Sequence, residues 1–358
     1  MQRFSSMMAT GLTRAGHAVR VCRPPVWVGR LGTADSKRGR WLGYIDKFAA
    51  FPGILRAAAR WADVVHICDH SNSFYVRQIR KRPHVVTCHD MLGIRSAIDE
   101  TPLLRTGWTG TQLQKLIFNG LTGSQHIACV SEATRKELLR LTQVPEQRVS
   151  RIYNGLNHPY APMAEHDAAP RLRVLGVDPE RPFLFHVGGN TWYKNRIGVL
   201  QIFAALRKRT GATGPTLVMA GKPWTPEMRS FVSEHDLSDA VKEIRGATED
   251  DLQALYSMAR VMLFPSLEEG FGWPILEAQA CGCVVVTSDR SPMNEVGGTA
   301  AVYVDPEDIE GAATTVERVL HSAPQQREMS VRNASRFSTE QMIQSYVNLY
   351  EKVSHEHS

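Results

Sequence analysis

Several absences narrow what this sequence encodes. No run in the 358 residues approaches the ~18 consecutive apolar residues of a membrane span. Met1–Leu12 is polar and lacks the apolar core segment and small-residue cleavage site of a signal peptide. Cysteine is sparse, with six residues in all. Cys22, Cys68, Cys88 and Cys129 sit at or near the ends of short apolar runs, as buried thiols do. Cys281 and Cys283 are one residue apart, which is not the Cys-x-x-Cys spacing of redox or zinc sites. The expectation is a cytoplasmic chain with structural thiols. No nucleic-acid-binding motif is present, and the basic residues are not interleaved with aromatics, so nucleic acid is not an expected partner. There is no internal repeat, no low-complexity segment and no Asp-x-Asp triplet to hold a divalent ion. His355 and His357 stand two apart in a polar tail that reads as frayed, and no metal site is expected there or elsewhere.

What is present is a chain long enough for two domains, with an electrical asymmetry. The net charge is +6. Residues 1–170 hold 23 Lys and Arg against 12 Asp and Glu, a net +11, while residues 171–358 hold 19 against 24, a net −5. A basic half suits an anionic partner, either a phosphorylated substrate or a membrane surface. Two basic stretches, Arg77–Arg82 and Arg38–Ile45, the second with large apolar residues, point to weak attachment to anionic lipid.

Short β-rich runs alternate with stretches of helical period. The first half gives strands at Ala18–Cys22, Asp63–Cys68, His84–Cys88, His126–Val130 and Val149–Tyr153. The second gives Phe183–Val187, Thr216–Ala220, Val241–Ile244, Val261–Phe264, Val284–Thr287 and Ala301–Val304. This alternation predicts parallel sheets covered by helices on both faces. The pattern restarts after 159–170, read as a linker, and a last helix is expected at Thr339–Val353. The expected domains are 1–160 and 171–338, followed by a helix and tail over 339–358.

Ligands of open α/β sheets bind outside the carboxyl ends of the strands. The residues following the strands include Asp69 and His70, then His89 and Asp90, then Ser131 and Glu132. In the second half come Gly188, Gly189 and Asn190, then Gly221 and Lys222, then 265–269. Ser131, with a polar residue three positions on, reads as a helix N-cap. The stretch Glu269-Gly270-Phe271-Gly272-Trp273-Pro274-Ile275-Leu276-Glu277 is the most informative. Its first glutamate lies on a glycine loop, and its second lies in a helix whose start is marked by Pro274. A glycine loop at a helix N-terminus offers N–H groups and the positive end of the dipole to a diphosphate or a sugar hydroxyl. Upstream, Lys194 stands at the foot of a helix, where it can neutralise phosphate charge.

The stretch from Leu263 through Ser288, with Asn294-Glu295-Val296-Gly297-Gly298 and Val304-Asp305-Pro306, resembles the family-4 glycosyltransferases over most of 180–310. The resemblance implies a GT-B fold: two doubly wound, Rossmann-like parallel-sheet domains facing across a cleft, acceptor domain first and donor domain second. It implies retaining, metal-independent transfer of a hexose-type sugar, such as mannose or glucose, from a nucleotide diphosphate sugar to a hydroxyl. It needs no cofactor, and the acceptor is a glycan or a lipid-linked sugar in polysaccharide assembly. By resemblance Glu269 contacts the donor sugar, Glu277 the ribose, and Gly188, Gly189, Asn190 and Lys194 the diphosphate, while His89 belongs to a loop beneath the sugar. His89, Lys194 and Glu269 are the expected catalytic residues, with Gly270, Phe271, Gly272 and Lys222 completing the donor set. Asp69, His70 and Asp90 are acceptor-side candidates. One departure is visible: many members carry an arginine directly after the first donor-domain strand, where this chain has Gly189 and Asn190, and its role passes to Lys222 in this reading. The rivals are another enzyme of the same fold, such as a phosphorylase or sugar-nucleotide epimerase, and a non-catalytic scaffold.

The opening is unusual for a doubly wound domain. Phe4, Met8 and Leu12 fall four apart, so Gln2–Arg14 reads as a helix already under way, and Ala18–Cys22 as the strand that comes second. The expectation is that Met1 is not the natural start and that ~15–40 residues, a strand and loop, precede it. The alternative is that another segment of the chain fills the gap.

Overall fold

The computed structural model describes residues 2–27, 43, 45–98, 100, 107–321 and 324–356. It divides into two compact units: Met1–Tyr153 with Thr339–Ser358, and Asn154–Ser338. The boundary therefore falls ahead of the expected residue 160. The Trp273 indole N–H donates to the Gly155 carbonyl at 2.9 Å, and Asn157 donates to Glu277 at 3.0 Å, which fastens 154–160 to the second unit.

The first unit holds a four-stranded parallel sheet in the order β1 (Val65–Ile67), β2 (His84–Cys88), β3 (His126–Cys129), β4 (Val149–Arg151). β2 and β3 are buried along their whole length, as strands covered on both faces must be. The helix Gln2–Arg14 forms as its four-residue spacing predicts, with Phe4 and Met8 buried. The last helix, Thr339–His355, belongs to this unit. Tyr346 hydroxyl meets Thr87 Oγ1 at 2.8 Å, and Tyr350 hydroxyl meets His66 Nδ1 at 2.7 Å, so a helix remote in sequence is keyed to β1 and β2.

No strand forms at Ala18–Cys22; residues 17–22 are without regular structure. Among the described residues β1 pairs with β2 alone, which makes it an edge of the sheet. Between that edge and residues 17–24 lies a cavity of about 810 Å³, walled also by Met8, Leu12, Phe51 and Leu55. Cys22, expected buried at a strand end, is exposed because that strand does not form. The remaining cysteines carry free thiols; Cys68 is partly buried and the other four are buried.

The second unit holds six parallel strands. In sequence they are β5 (Phe183–Gly188), β6 (Thr216–Gly221), β7 (Val241–Ile244), β8 (Val261–Phe264), β9 (Val285–Ser288) and β10 (Ala301–Val304). Their order across the sheet is β10-β9-β8-β5-β6-β7. The first strand is central, and the chain winds outward from it in both directions, so the strand order reverses between β5 and β8. The segment read as a linker is partly helical. Helix Glu165–Val174 carries Pro170 within it. Ala168, Ala169 and Leu172 are buried and the helix packs against Glu249–Met258, which offsets the ~3 kcal/mol cost of an interior proline.

Candidate functional site

The reversal point of the second sheet is where a ligand crevice is expected, and the loops leaving β5 and β8 meet there. After β5 the chain makes a short 3-10 turn, Trp192–Lys194, then places Asn195 in the left-handed region at φ 50°. The Asn195 carboxamide oxygen caps helix Arg196–Thr210 by accepting from Gly198 N–H at 3.2 Å. Its nitrogen donates to the Pro265 carbonyl at 3.0 Å, and Leu267 N–H donates to the Tyr193 carbonyl at 2.7 Å. The two loops are thereby stitched side by side. Lys194 Nζ then reaches Glu269 Oε1 at 2.6 Å across the seam, with both side chains mostly buried. The ammonium also lies 5.0 Å above the Phe264 ring.

Glu277 lies on helix Trp273–Ala280, whose N-cap is Gly272 at φ 99°, a conformation that excludes a side chain at low cost. Glu277 is 4% exposed, and its carboxylate is held at both oxygens. Asn157 donates to Oε1 at 3.0 Å and the Tyr256 hydroxyl to Oε2 at 2.9 Å. Burial, then the nearby carboxylate, pushes the Tyr256 phenol far above its ordinary value, so it stays a donor. Phe271 packs edge-on against Phe337 at 5.8 Å, so its ring belongs to the core and its part in any ligand contact is main-chain.

Gly221 closes the crevice on the β6 side. At φ 128° a Cβ there would lie 2.1 Å from the Gly188 carbonyl oxygen, so the ends of β5 and β6 approach as only glycine allows. Gly189 has open space where its Cβ would be. The Asn190 side chain is used internally: Nδ2 donates to the Pro223 carbonyl at 2.7 Å, and Oδ1 accepts from Arg196. Lys222 is exposed, and its backbone carbonyl accepts from Arg196 Nη1 at 2.8 Å. His186, beneath these loops, is fully buried and donates from Nδ1 to the Leu263 carbonyl at 2.9 Å; burial lowers it to about 3, so it is neutral.

In the first unit, His70, His89, Asp69 and Asp90 gather at the carboxyl ends of β1 and β2. His89 Nε2 lies 2.9 Å from the Cys68 carbonyl, which can only accept, so that nitrogen carries the proton. Its backbone N–H donates to His70 Nδ1 at 3.3 Å, and the Phe4 ring stands edge-on at 4.8 Å. Burial lowers the His89 imidazole to about 4, so it is neutral near pH 7. Asp69 and Asp90 each accept from a backbone N–H two residues on, Ser71 at 2.8 Å and Leu92 at 3.1 Å, so each is at least partly a turn-forming residue. Ser131 is an N-cap, accepting from Thr134 N–H at 3.1 Å. Among the described residues no group of three or more His, Cys, Asp and Glu is placed to hold a metal ion, and no helix is long and apolar enough to cross a membrane.

Three residues of the second unit's site escaped the sequence reading. Asn157 and Tyr256 grip Glu277, and neither carries a local signal, because each meets it only through the fold. Arg196 stood in plain view beside Lys194, but nothing in the sequence says that its side chain turns back toward the strand ends.

Residues 171–336 match the family model for glycosyl transferases group 1, and residues 1–158 match the model for glycosyltransferase family 4. The chain has the domain architecture of a GT-B glycosyltransferase. It is 26% identical over 325 residues to the O-antigen chain mannosyltransferase B of Escherichia coli, covering 88% of this chain and 84% of that one. It is 24% identical over 351 residues to the GDP-mannose:cellobiosyl-diphosphopolyprenol alpha-mannosyltransferase of Xanthomonas oryzae pv. oryzae, covering 90% and 83%. Among solved structures, this GT-B chain matches sucrose-phosphate synthase from Thermosynechococcus elongatus with a TM-score of 0.74 and 18% identity, covering 98% of this chain and 92% of that one. Anabaena HepE in complex with UDP and glucose matches with a TM-score of 0.71 and 15% identity, covering 86% and 82%. At these identities the structural matches establish the fold and nothing finer. Both units are parallel-sheet domains of that fold.

Proposed function

We propose that this protein transfers mannose from a nucleoside diphosphate mannose to a hydroxyl of a growing, lipid-linked glycan, with retention of anomeric configuration. The observation that carries this reading is the Lys194–Glu269 pair at the reversal point of the second sheet, with the gripped carboxylate of Glu277 on the helix that follows. In this reading the anomeric carbon's bond to the diphosphate oxygen breaks while the acceptor oxygen bonds on the same face. The acceptor proton passes to the leaving phosphate oxygen. No protein nucleophile is required, and the chain's work is positioning and charge stabilisation. Lys194 shares its charge between Glu269 and the leaving diphosphate, Glu269 holds sugar hydroxyls, and Glu277 accepts from the ribose. In the first unit, neutral His89 and its neighbours Asp69, His70 and Asp90 are the candidates for the acceptor side of the reaction. Mannose is favoured over other hexoses because both relatives above, each matched over most of its length, are mannosyltransferases.

The test is release of nucleoside diphosphate from GDP-mannose, UDP-glucose and ADP-glucose, with and without lipid-linked oligosaccharide, followed by product analysis. Acceptor-dependent GDP release with an α-linked mannose in the product is the expected result. Sugar interconversion without any acceptor would replace the reading with an epimerase. Absence of turnover and of donor binding would replace it with a scaffold.

A further inference from the structure

Arg196 is the first residue of helix Arg196–Thr210, yet its guanidinium turns back to the strand ends. Nη1 donates to the Asn190 side chain in the loop after β5 and to the Lys222 carbonyl in the loop after β6. The residue is 5% exposed, and its Nε and Nη2 have no hydrogen-bond partner. Among the described residues no carboxylate lies within ion-pair distance of it. Glu243, the acid in its field, is occupied by Arg245 at 2.7 Å, Arg229 at 3.6 Å and Trp224 N–H at 2.6 Å. The neighbouring cations are differently placed. Lys194 already faces Glu269, and Lys222 projects into solvent. A buried guanidinium with idle donors and no counter-ion is unfavourable unless an anion completes it.

We propose that Arg196 is the resident cation of the diphosphate pocket: the anion that completes it is the diphosphate of the donor, and through Asn190 and Lys222 it also sets the two loops that receive that diphosphate. This rests on the reading that the second unit binds a nucleoside diphosphate sugar. It moves the positive charge expected of Lys222 to a buried side chain at the foot of the next helix. Because a guanidinium presents its donors in a fixed planar fork, it can hold both loops with one nitrogen and still direct others elsewhere, which a lysine cannot.

The test is titration of GDP and GMP, with UDP and ADP as base controls, into the wild-type protein and into Arg196→Gln and Arg196→Lys. Thermal melting of each is recorded with and without ligand. In Arg196→Gln the affinity for GDP is expected to fall about tenfold or more, since a charge-assisted hydrogen bond is involved, and more than that for GMP, which carries less charge. The melting shift produced by GDP shrinks in step, and Arg196→Lys recovers part of both. A lower melting temperature of the ligand-free variant with an unchanged GDP-to-GMP preference would make Arg196 a structural tie and overturn the proposal. Full GDP affinity in Arg196→Gln would do the same. Failure of the wild-type protein to bind any diphosphate would overturn the functional reading and this proposal with it, an outcome distinct from failure in the variant alone.

Discussion

At the scale of single residues, the site is a set of carboxylates and cations whose partners fix them before any ligand arrives. Lys194 and Glu269 neutralise one another at 2.6 Å, so removing either leaves a mostly buried charge unpaired as well as depriving the ligand of a contact. Lys194→Ala and Glu269→Ala are each expected to lower turnover by at least ~100-fold, the effect of roughly 2.7–4 kcal/mol of lost charge stabilisation, measured as kcat with GDP-mannose. Near-normal rates in both would remove the pair from the chemistry. Glu277 differs, since a ribose contact is alike in ground and transition states. Tyr256→Phe deletes the hydrogen bond to its Oε2, and the expected result is a donor KM raised about tenfold with kcat little changed. A fall in kcat at constant KM would mean that Tyr256 serves the chemical step. Glu269 and Glu277 were legible as candidates because they share one contiguous stretch, and Lys194 because it stands at the foot of the helix that follows β5. Asn157, Tyr256 and Arg196 were not, because their roles depend on which loops the sheet order brings together.

At the scale of elements, the alternation of apolar runs located ten of eleven expected strands, to within a residue or two at most ends. The miss at Ala18–Cys22 is instructive: β-propensity stabilises a strand only when a neighbour pairs with it, and residues 17–22 have none. Phe4 lies against His89, just past the carboxyl end of β2, while Arg20 stacks 4.8 Å over Trp61, just before β1. Helix Gln2–Arg14 thus runs from the carboxyl end of the sheet back to its amino end, alongside the free edge of β1. The slot between that edge and residues 17–24 has the form of a seat for one more parallel strand. Grafting a five-residue apolar strand and a two-glycine loop ahead of Gln2 is expected to raise the melting temperature by roughly 4 °C or more, as 1 kcal/mol corresponds to about 2–4 °C in a domain of this size. The same graft with prolines at alternate positions, which cannot donate to β1, should leave it unchanged. Equal effects of both grafts, or no effect of either, would mean that the slot does not pair a strand.

At the scale of the whole molecule, charge and burial distribute unevenly between the two units. Arg77, Arg80 and Lys81 are exposed while Ile79 between them is buried, which leaves a basic surface on the first unit; of the second basic stretch, Arg38–Leu42 and Tyr44 lie outside the described residues. Each such residue near an anionic surface adds about 1 kcal/mol, so sedimentation with phosphatidylglycerol vesicles at low salt should exceed that with phosphatidylcholine and fall in an Arg77→Gln, Arg80→Gln, Lys81→Gln variant. Equal sedimentation with both lipids would exclude attachment through this surface. Histidines whose imidazoles the fold lowers are also unequally shared. Burial lowers His66 to about 3, His89 to about 4 and His126 to about 4 in the first unit, but among the described residues of the second it lowers only His186, to about 3. In the unfolded chain each titrates near its ordinary ~6.5. Below that value the unfolded state binds protons that the folded state refuses, so stability falls as pH falls, at about 1.4 kcal/mol per pH unit for each such histidine until its folded value is reached. From pH 6.5 to 5 the ordinary carboxylates remain ionised, so the histidines dominate this window. Calorimetry over that range should show the melting transition of the first unit moving down faster than that of the second, and His66→Gln, which takes up no proton, should reduce the slope. A melting profile flat from pH 7 to 5, or a second unit that fails first, would mean that these imidazoles are not held neutral by the fold.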